Sequence, residues 1–474
     1  MPGSAKKLPR NGGDAYPENP ARRRAVAAGL TLGMAGLASG AGARPASAQS
    51  TAAPIGIDAR RFGITPARRD ARVTKNHSAA FQRAVREAAA AGQPLLLGPG
   101  RYRISGIDLP SHTHIVGVPG QTIIEFAGGK GVFTIANARD VRLDGIAIDG
   151  RSRALAERDA LVSTRGAFQV VFRDVAIANS LLNGVSVRES QATISACTIT
   201  DCGNTGLFSL DARDSAITNN RVERCGNNGI QIWRSVQGED GTVVSNNTVR
   251  HIDARAGGDG QNGNGINVFR AGAVQVNSNR ITDCTFTAIR GNAASDIQMV
   301  GNHCLRLGEV ALYAEFGFDG AVIANNLIDG ASTGISVTNF NDGGRLAVVQ
   351  GNLIRNLKLR DHEDARGVGI GVEADTAVVG NVIENAPSVG LAIGWGRYMR
   401  DVTATSNIIR NAPIGIGISG VRGAGPVFVT NNMLSGTPNG AIRMMDHGRA
   451  EGPDLARAEA GKQTNFTVFA NVSA

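Results

Sequence analysis

The chain has 474 residues, of which 19% are charged and 4% aromatic, with 62 glycines and a formal charge of +9. A length of this order ordinarily divides into two or more domains, and an apolar fraction of 42% argues against disorder. No apolar run long enough to cross a bilayer follows the N-terminal region, and no Lys/Arg run interleaved with aromatics points to nucleic acid.

Residues 1–48 stand apart from the rest. Arg22, Arg23 and Arg24 precede a weakly apolar run from Ala25 to Leu37, and Ala46-Ser47-Ala48 has the form of a cleavage site. The segment resembles a twin-arginine export signal, with Ala25 and Val26 where a bulkier apolar pair is more usual. That resemblance implies the twin-arginine translocase as export partner and a mature chain, 49–474, that is periplasmic or secreted. The leader holds seven Lys/Arg and two acids, so removing its +5 from +9 leaves about +4 for the mature protein. A mildly basic chain suits an anionic polysaccharide.

Next in order, HSAAFQRAVREAAAAG (77–92) places Phe81, Ala84, Val85 and Ala88 on one face, which predicts a helix stopped by Gly92. LLLGPGRYRI (95–104) and HIVGVPGQTIIEF (114–126) then read as strands and turns.

From there the chain repeats itself. An Asn stands two residues before an aliphatic or Cys at Asn220, Asn247, Asn279, Asn302, Asn326, Asn352, Asn381, Asn407 and Asn432. Val175 and Cys197 keep the spacing without the Asn. Each copy reads as a short strand, a turn at the Asn, a second strand and a G-I-x-V strand, as in GVSV (184–187), GIQI (229–232), GINV (265–268), GISV (334–337), GIGV (369–372) and GIGI (415–418). Three short strands cannot bury their apolar faces alone. Stacked coil on coil at about 4.8 Å they can. The Asn column is expected to tolerate a left-handed bend and to bond amide to amide along the stack, and the Gly before each Ile to permit a further bend.

The N-x-I…G-I-x-V phrase, with the 77–92 helix and Pro99-Gly100-x-Tyr102 before it, resembles the pectin-lyase-like superfamily. With the export signal it most resembles a group of uncharacterised twin-arginine-translocated β-helix repeat proteins. The resemblance implies an all-β fold, a single-stranded right-handed parallel β-helix with an N-terminal capping helix. It covers nearly all of residues 55–445 and is more specific for fold than for activity. The expected division is a signal peptide, 1–48, and one β-helix domain, 49–474. That domain has its cap and first coils at 55–135, repeat coils at 136–445 and a C-terminal tail or cap at 446–474. The family's usual acidic loop before the helix is replaced by basic PARRDARVTK (66–75).

Cys202, Cys225 and Cys284 share one register, each three residues past Ile199, Val222 and Ile281. Buried free thiols are the expected state, with a Cys202–Cys225 disulfide as the alternative. No Cys/His spacing marks a metal site and no cofactor motif is present.

In G-I-x-V-z the Ile and Val point inward, so x and z form one outer face. The middle coils place Gln231/Trp233, Asn267/Phe269, Arg290/Asn292, Tyr313/Glu315 and Glu373 there, while the later coils are small and bare. Trp233, Phe269, Asn267 and Asn292 are candidates for binding sugar. Two inserts, 251–264 and 358–367, are expected to wall this groove and to bring Asp253, Asp259, Asp361, His362, Glu363 and Asp364 to it. Two chemistries fit the face. A hydrolase would use Glu315 and Glu373, two coils and roughly 9–10 Å apart. A lyase or epimerase would use Arg290 to neutralise a uronate carboxylate or act as base, with Tyr313 as proton donor. The superfamily's hydrolase signature (NTD, DD, GHG, RIK) and its alginate-epimerase signature (DPHD) are both missing. The expected function is an exported carbohydrate-active protein acting on an acidic envelope polysaccharide, with a non-catalytic polysaccharide-binding or structural β-helix as the alternative.

Overall fold

A computed structural model describes residues 56–68, 73–156, 159–258, 260–338, 343–359, 366–457 and 465–474. The proposed export signal lies outside the described residues, as do Asp259, Asp361, His362, Glu363 and Asp364.

The strands fall into three sheets of 16, 15 and 15 strands, parallel and taking every third strand in chain order except at the ends of the solenoid. This is a right-handed β-helix, the hand favoured for parallel crossovers in general. The first sheet carries the strand before each Asn, the second the strand after it, and the third the G-I-x-V strand. Aliphatic side chains stack into columns inside. One column runs Ile230, Ile266, Ile289, Leu312, Ile335, Ile370, Leu391 and Ile416 down the third sheet in strict register. All of these are buried. Helix α1 (Ser78–Ala90) covers the first coils with Phe81, Ala84, Val85 and Ala88 inward. It ends where Gly92 takes φ 62° and Gln93 N–H bonds the Ala88 carbonyl, a left-handed stop that glycine accepts freely. At the other end the hairpin Ile442–Asp446/Arg449–Glu451 is the antiparallel pair among the described strands. It closes the third sheet's last edge, which would otherwise be open to pairing.

The Asn column forms a ladder. From Asn220 to Asn471 each side-chain amide donates to the Asn Oδ1 of the next coil at 2.9–3.1 Å. Cys197, one coil above, gives its backbone N–H to Asn220 Oδ1 at 2.9 Å. The expected left-handed bend sits one residue earlier than the column, at Asn219, Asn246, Ser278, Asn325, Ser406 and Asn431, with φ between 56° and 59°. The ladder Asn is there for its amide alone.

The Gly before each Ile also has a different cause from the expected bend. A Cβ on Gly369 would lie 2.3 Å from the Gly390 carbonyl oxygen, and one on Gly229 would lie 2.5 Å from that of Gly265. Close approach of successive coils, not backbone conformation, selects glycine in this column. The five cysteines are free and buried. Cys225 and Cys284 share their register with Ile252 between them. Burial pushes the Cys197 thiol up to about 11, and the Cys202 thiol is raised by its contact with Cys225 and then by burial. These are inert fillers of the stack.

Candidate functional site

The outer face of the third sheet keeps the register that alternation requires. Gln231 pairs with Asn267 and Trp233 with Phe269; Arg290 follows Asn267, Tyr313 follows Arg290, and Glu315 follows Asn292. A groove of ≈1270 Å³ runs along this face. Trp233, Asn267, Phe269, Arg290, Asn292, Tyr313, Glu315 and Glu373 all line it. The structure thus brings all eight candidate residues to one surface.

They are not equally accessible. At one end Trp233 is packed between Phe208 and Phe269, ring centroids 5.8 and 5.5 Å away, with Arg270 over Phe269 at 4.7 Å. The Trp233 Nε1–H donates to Asn267 Oδ1 at 3.1 Å, and Asn267 is only 3% exposed. In the centre Glu315 is 1% exposed. Arg290 Nε donates to its Oε1 at 2.5 Å and Asn292 Nδ2 to the same oxygen at 3.0 Å. The Arg290 guanidinium lies 5.4 Å from the Tyr313 ring centre. Burial, and then the charge of Glu315, push the Tyr313 phenol well above its ordinary range. Tyr313 therefore holds its proton at any physiological pH.

The 251–264 insert explains why the centre is closed. A Cβ on Gly260 would fall 1.3 Å from Arg290 Nη1, so the insert's backbone lies directly on the guanidinium. Asn264 Nδ2 ties the loop down by donating to the Gly260 carbonyl at 2.9 Å, and Asn228 Nδ2 donates to that of Gln261 at 3.0 Å. Gly260 and Gln261 form part of the groove wall. The insert's Asp253 does not: it pairs with Arg255 at 3.1 Å and faces a separate shallow hollow near Asp201 and Arg224. Its acid is carried outward by the strand end, away from the third sheet.

The later coils are not bare, as the alternation suggested. Trp395 and Tyr398 line the groove's other end, on a short 3-10 turn, Gly396–Tyr398. Arg366, the described end of the second insert, lies over the Trp395 ring at 4.3 Å. His447, at the tip of the C-terminal hairpin, meets Trp395 edge-on at 5.1 Å. Alternation could not find Trp395 because Gly394, φ 81°, takes the chain out of the strand just before it. The available signal was scarcity, since Trp395 is one of only two tryptophans. Among the described residues no cluster of His, Cys, Asp and Glu has the makings of a metal site, and no helix is long and apolar enough to cross a membrane.

The profile of the right handed beta helix region matches residues 122–256 and 232–399. Among solved structures, the pre-mature bacteriophage phi29 gene product 12 superposes with TM-score 0.53 at 15% identity, covering 87% of this chain and 58% of that one. Its N-terminal fragment gives 0.51 at 17% identity, with 82% and 68% covered. A family 28 exopolygalacturonase from Yersinia enterocolitica gives 0.47 at 12% identity, with 84% and 79% covered. The chain spans little more than half the length of the phage protein, and these likenesses are of fold.

Proposed function

We propose that this chain, which belongs to the right-handed β-helix family, is an exported carbohydrate-active protein that lays an acidic polysaccharide along the third sheet and processes it. One observation carries the reading: a single groove with aromatic clusters at both ends, Trp233/Phe269 and Trp395/Tyr398, and polar side chains between. Apolar sugar faces stack on aromatic rings, and hydroxyls and carboxylates take up the polar groups. Six strand steps separate the Trp233 strand from the one preceding Trp395, about 29 Å at 4.8 Å per step. That length suits an oligosaccharide segment of a polymer. The N-terminal arginines and cleavage site support delivery to the periplasm or beyond through the twin-arginine translocase.

The chemistry is weighed by what is already occupied. Arg290 and Asn292 claim the Glu315 carboxylate, so a hydrolase pairing Glu315 with Glu373 would first have to open that contact. In an elimination or epimerisation Tyr313 would be a proton donor, and Arg290 would have to turn from Glu315 to meet a substrate carboxylate. The burial of Glu315 and Asn267 also favours a second reading, a groove that binds polysaccharide without turning it over. Binding of the mature protein to a panel of anionic and neutral polysaccharides separates these readings, followed together with unsaturated-uronate absorbance and reducing ends. Trp233→Ala and Trp395→Ala are each expected to weaken binding about tenfold or more, as loss of a stacking platform does. Unchanged binding in both variants, or no binding to any polymer by the parent protein, would sink the groove.

A further inference from the structure

The outer face of the second sheet changes character partway along the solenoid. Each of its strands buries its middle residue, so the residues on either side point outward. One outward column begins with polar residues, Arg221, Thr248, Arg280 and His303 in successive coils. It then turns apolar and stays so: Leu327, Leu353, Val382, Ile408, Met433 and Val472. The first three are half-buried, and Ile408, Met433 and Val472 are 40%, 54% and 58% exposed. The stripe is five strand steps long, about 24 Å at 4.8 Å per step. A surface facing only water does not select an unbroken apolar run of that length.

Beside the stripe runs a column of alternating charge. Asp329, Arg355, Glu384 and Arg410 follow one another in register with Leu327, Leu353, Val382 and Ile408. Within the chain Arg355 Nε lies 2.9 Å from Asp329 Oδ2, and Arg410 Nε 3.3 Å from Glu384 Oε1. All four side chains remain partly exposed. The column sums to zero, so it offers no net attraction to a polyanion or an anionic lipid surface. It does complement itself. Read in reverse, acid-base-acid-base becomes base-acid-base-acid, and each acid meets a base.

We infer that this face is the contact between two copies of the chain, packed antiparallel about a two-fold axis between the coils of Val382 and Ile408. That axis pairs the whole stripe with itself. Val382 meets Ile408 of the second copy, Leu353 meets its Met433, and Leu327 meets its Val472. Each pair occurs twice, as an isologous contact requires. The same operation sets Glu384 against Arg410 of the second copy. A parallel pair, with the axis along the solenoid, would carry the two charged columns to opposite margins and leave them unmatched. The groove belongs to the third sheet and stays open in both copies, so the inference is independent of the polysaccharide reading.

The test is the oligomeric state of the mature full-length protein, read by sedimentation equilibrium across a range of concentrations. The parent is expected to dimerise as concentration rises. Ile408→Glu and Met433→Glu fall on exposed positions, so each should keep the parent's circular dichroism. Each should raise the dimer Kd about 100-fold, since the substitution occurs twice per dimer and each occurrence is worth about tenfold. Arg410→Glu should weaken the dimer about tenfold or more by facing like charges. Combining it with Glu384→Arg restores opposite signs within the chain and across the copies, and should return Kd to within a few-fold of the parent. A short bis-maleimide reads the direction, because the native cysteines are buried. Antiparallel packing links Leu353→Cys to Met433→Cys in a mixture of the two variants, whereas parallel packing links Met433→Cys to itself. Four results would each overturn the inference: a parent monomeric at every concentration, a dimer unmoved by both Glu variants, a charge swap that fails to rescue Arg410→Glu, or self-linking of Met433→Cys. A monomeric parent that floats with phosphatidylcholine vesicles would assign the stripe to a lipid surface instead.

Discussion

The Asn corner and the groove face run along the same solenoid and are built on opposite terms. At the corner one residue type recurs, and each copy is satisfied by the next. Asn326 accepts the backbone N–H and the amide of Asn302 on Oδ1, and donates its own to Met299 O and Asn352 Oδ1 at 2.8–3.0 Å. On the groove face successive coils present different residues, Asn267, Arg290, Tyr313, Ser336 and Gly371 down one column. There a charge is buried with a single partner cation, and nothing in the neighbouring coils repeats it. Repetition distributes the burden of keeping polar groups dry. Departure from it concentrates that burden in one contact, which is where a specific chemistry can be built and where damage should be greatest.

The comparison predicts the order of losses. Arg290→Met should be the most harmful, since it leaves Glu315 buried without a compensating charge, a change that typically costs about 3–5 kcal/mol. Denaturant unfolding measures it, and the double variant with Glu315→Leu should recover much of the loss. A single variant within about 1 kcal/mol of the parent, on the scale of an exposed pair, would show that the pair is not sealed. Next comes Asn326→Ala, which strands buried donors and acceptors on both sides at a cost of about 3 kcal/mol. The control is Asn385, which donates to Asn356 and accepts from Asn411 in an exposed row. Asn385→Ala should cost no more than about 1 kcal/mol, and equal losses at the two sites would break the argument from burial.

How far the residues announced this is uneven, for physical reasons. Register was legible because strand alternation has a fixed period of two, so Trp233, Asn267, Arg290, Tyr313 and Glu315 could be placed on one face without coordinates. The ladder's amide bonding was legible too. Its bend was placed one residue late because Asn219-Asn220, Asn246-Asn247 and Asn325-Asn326 offer the same residue type at both positions. Burial of Glu315 was not legible. An outward position is exposed unless something covers it; here Arg290 and Asn292 close on the carboxylate, and Gly260, from an insert in an earlier coil, lies on the Arg290 guanidinium. Trp395 and His447 were hidden for a related reason: a turn and a hairpin tip obey no periodicity, and only the third dimension brings them together.

The smallest predicted effect sharpens the comparison within one strand, Val368–Val372. Gly369 is packed against the next coil and Gly371 lines the groove, two residues apart and identical in type. A Cβ on Gly369 would stand 2.3 Å from the Gly390 carbonyl oxygen and 2.6 Å from Ile383 Cγ2. On Gly371 the nearest atom would be Val368 Cγ1, 4.0 Å away. Gly369→Ala should therefore cost about 2 kcal/mol through forced separation of the coils. Gly371→Ala should be close to neutral, or slightly stabilising through the loss of unfolded-state freedom. Thermal unfolding of the two variants side by side reads this directly. If Gly371→Ala nonetheless weakens polysaccharide binding at unchanged stability, the bare floor beside Glu373 is kept clear for ligand. If it leaves binding untouched, the polymer must contact the two aromatic ends and bridge the floor between them.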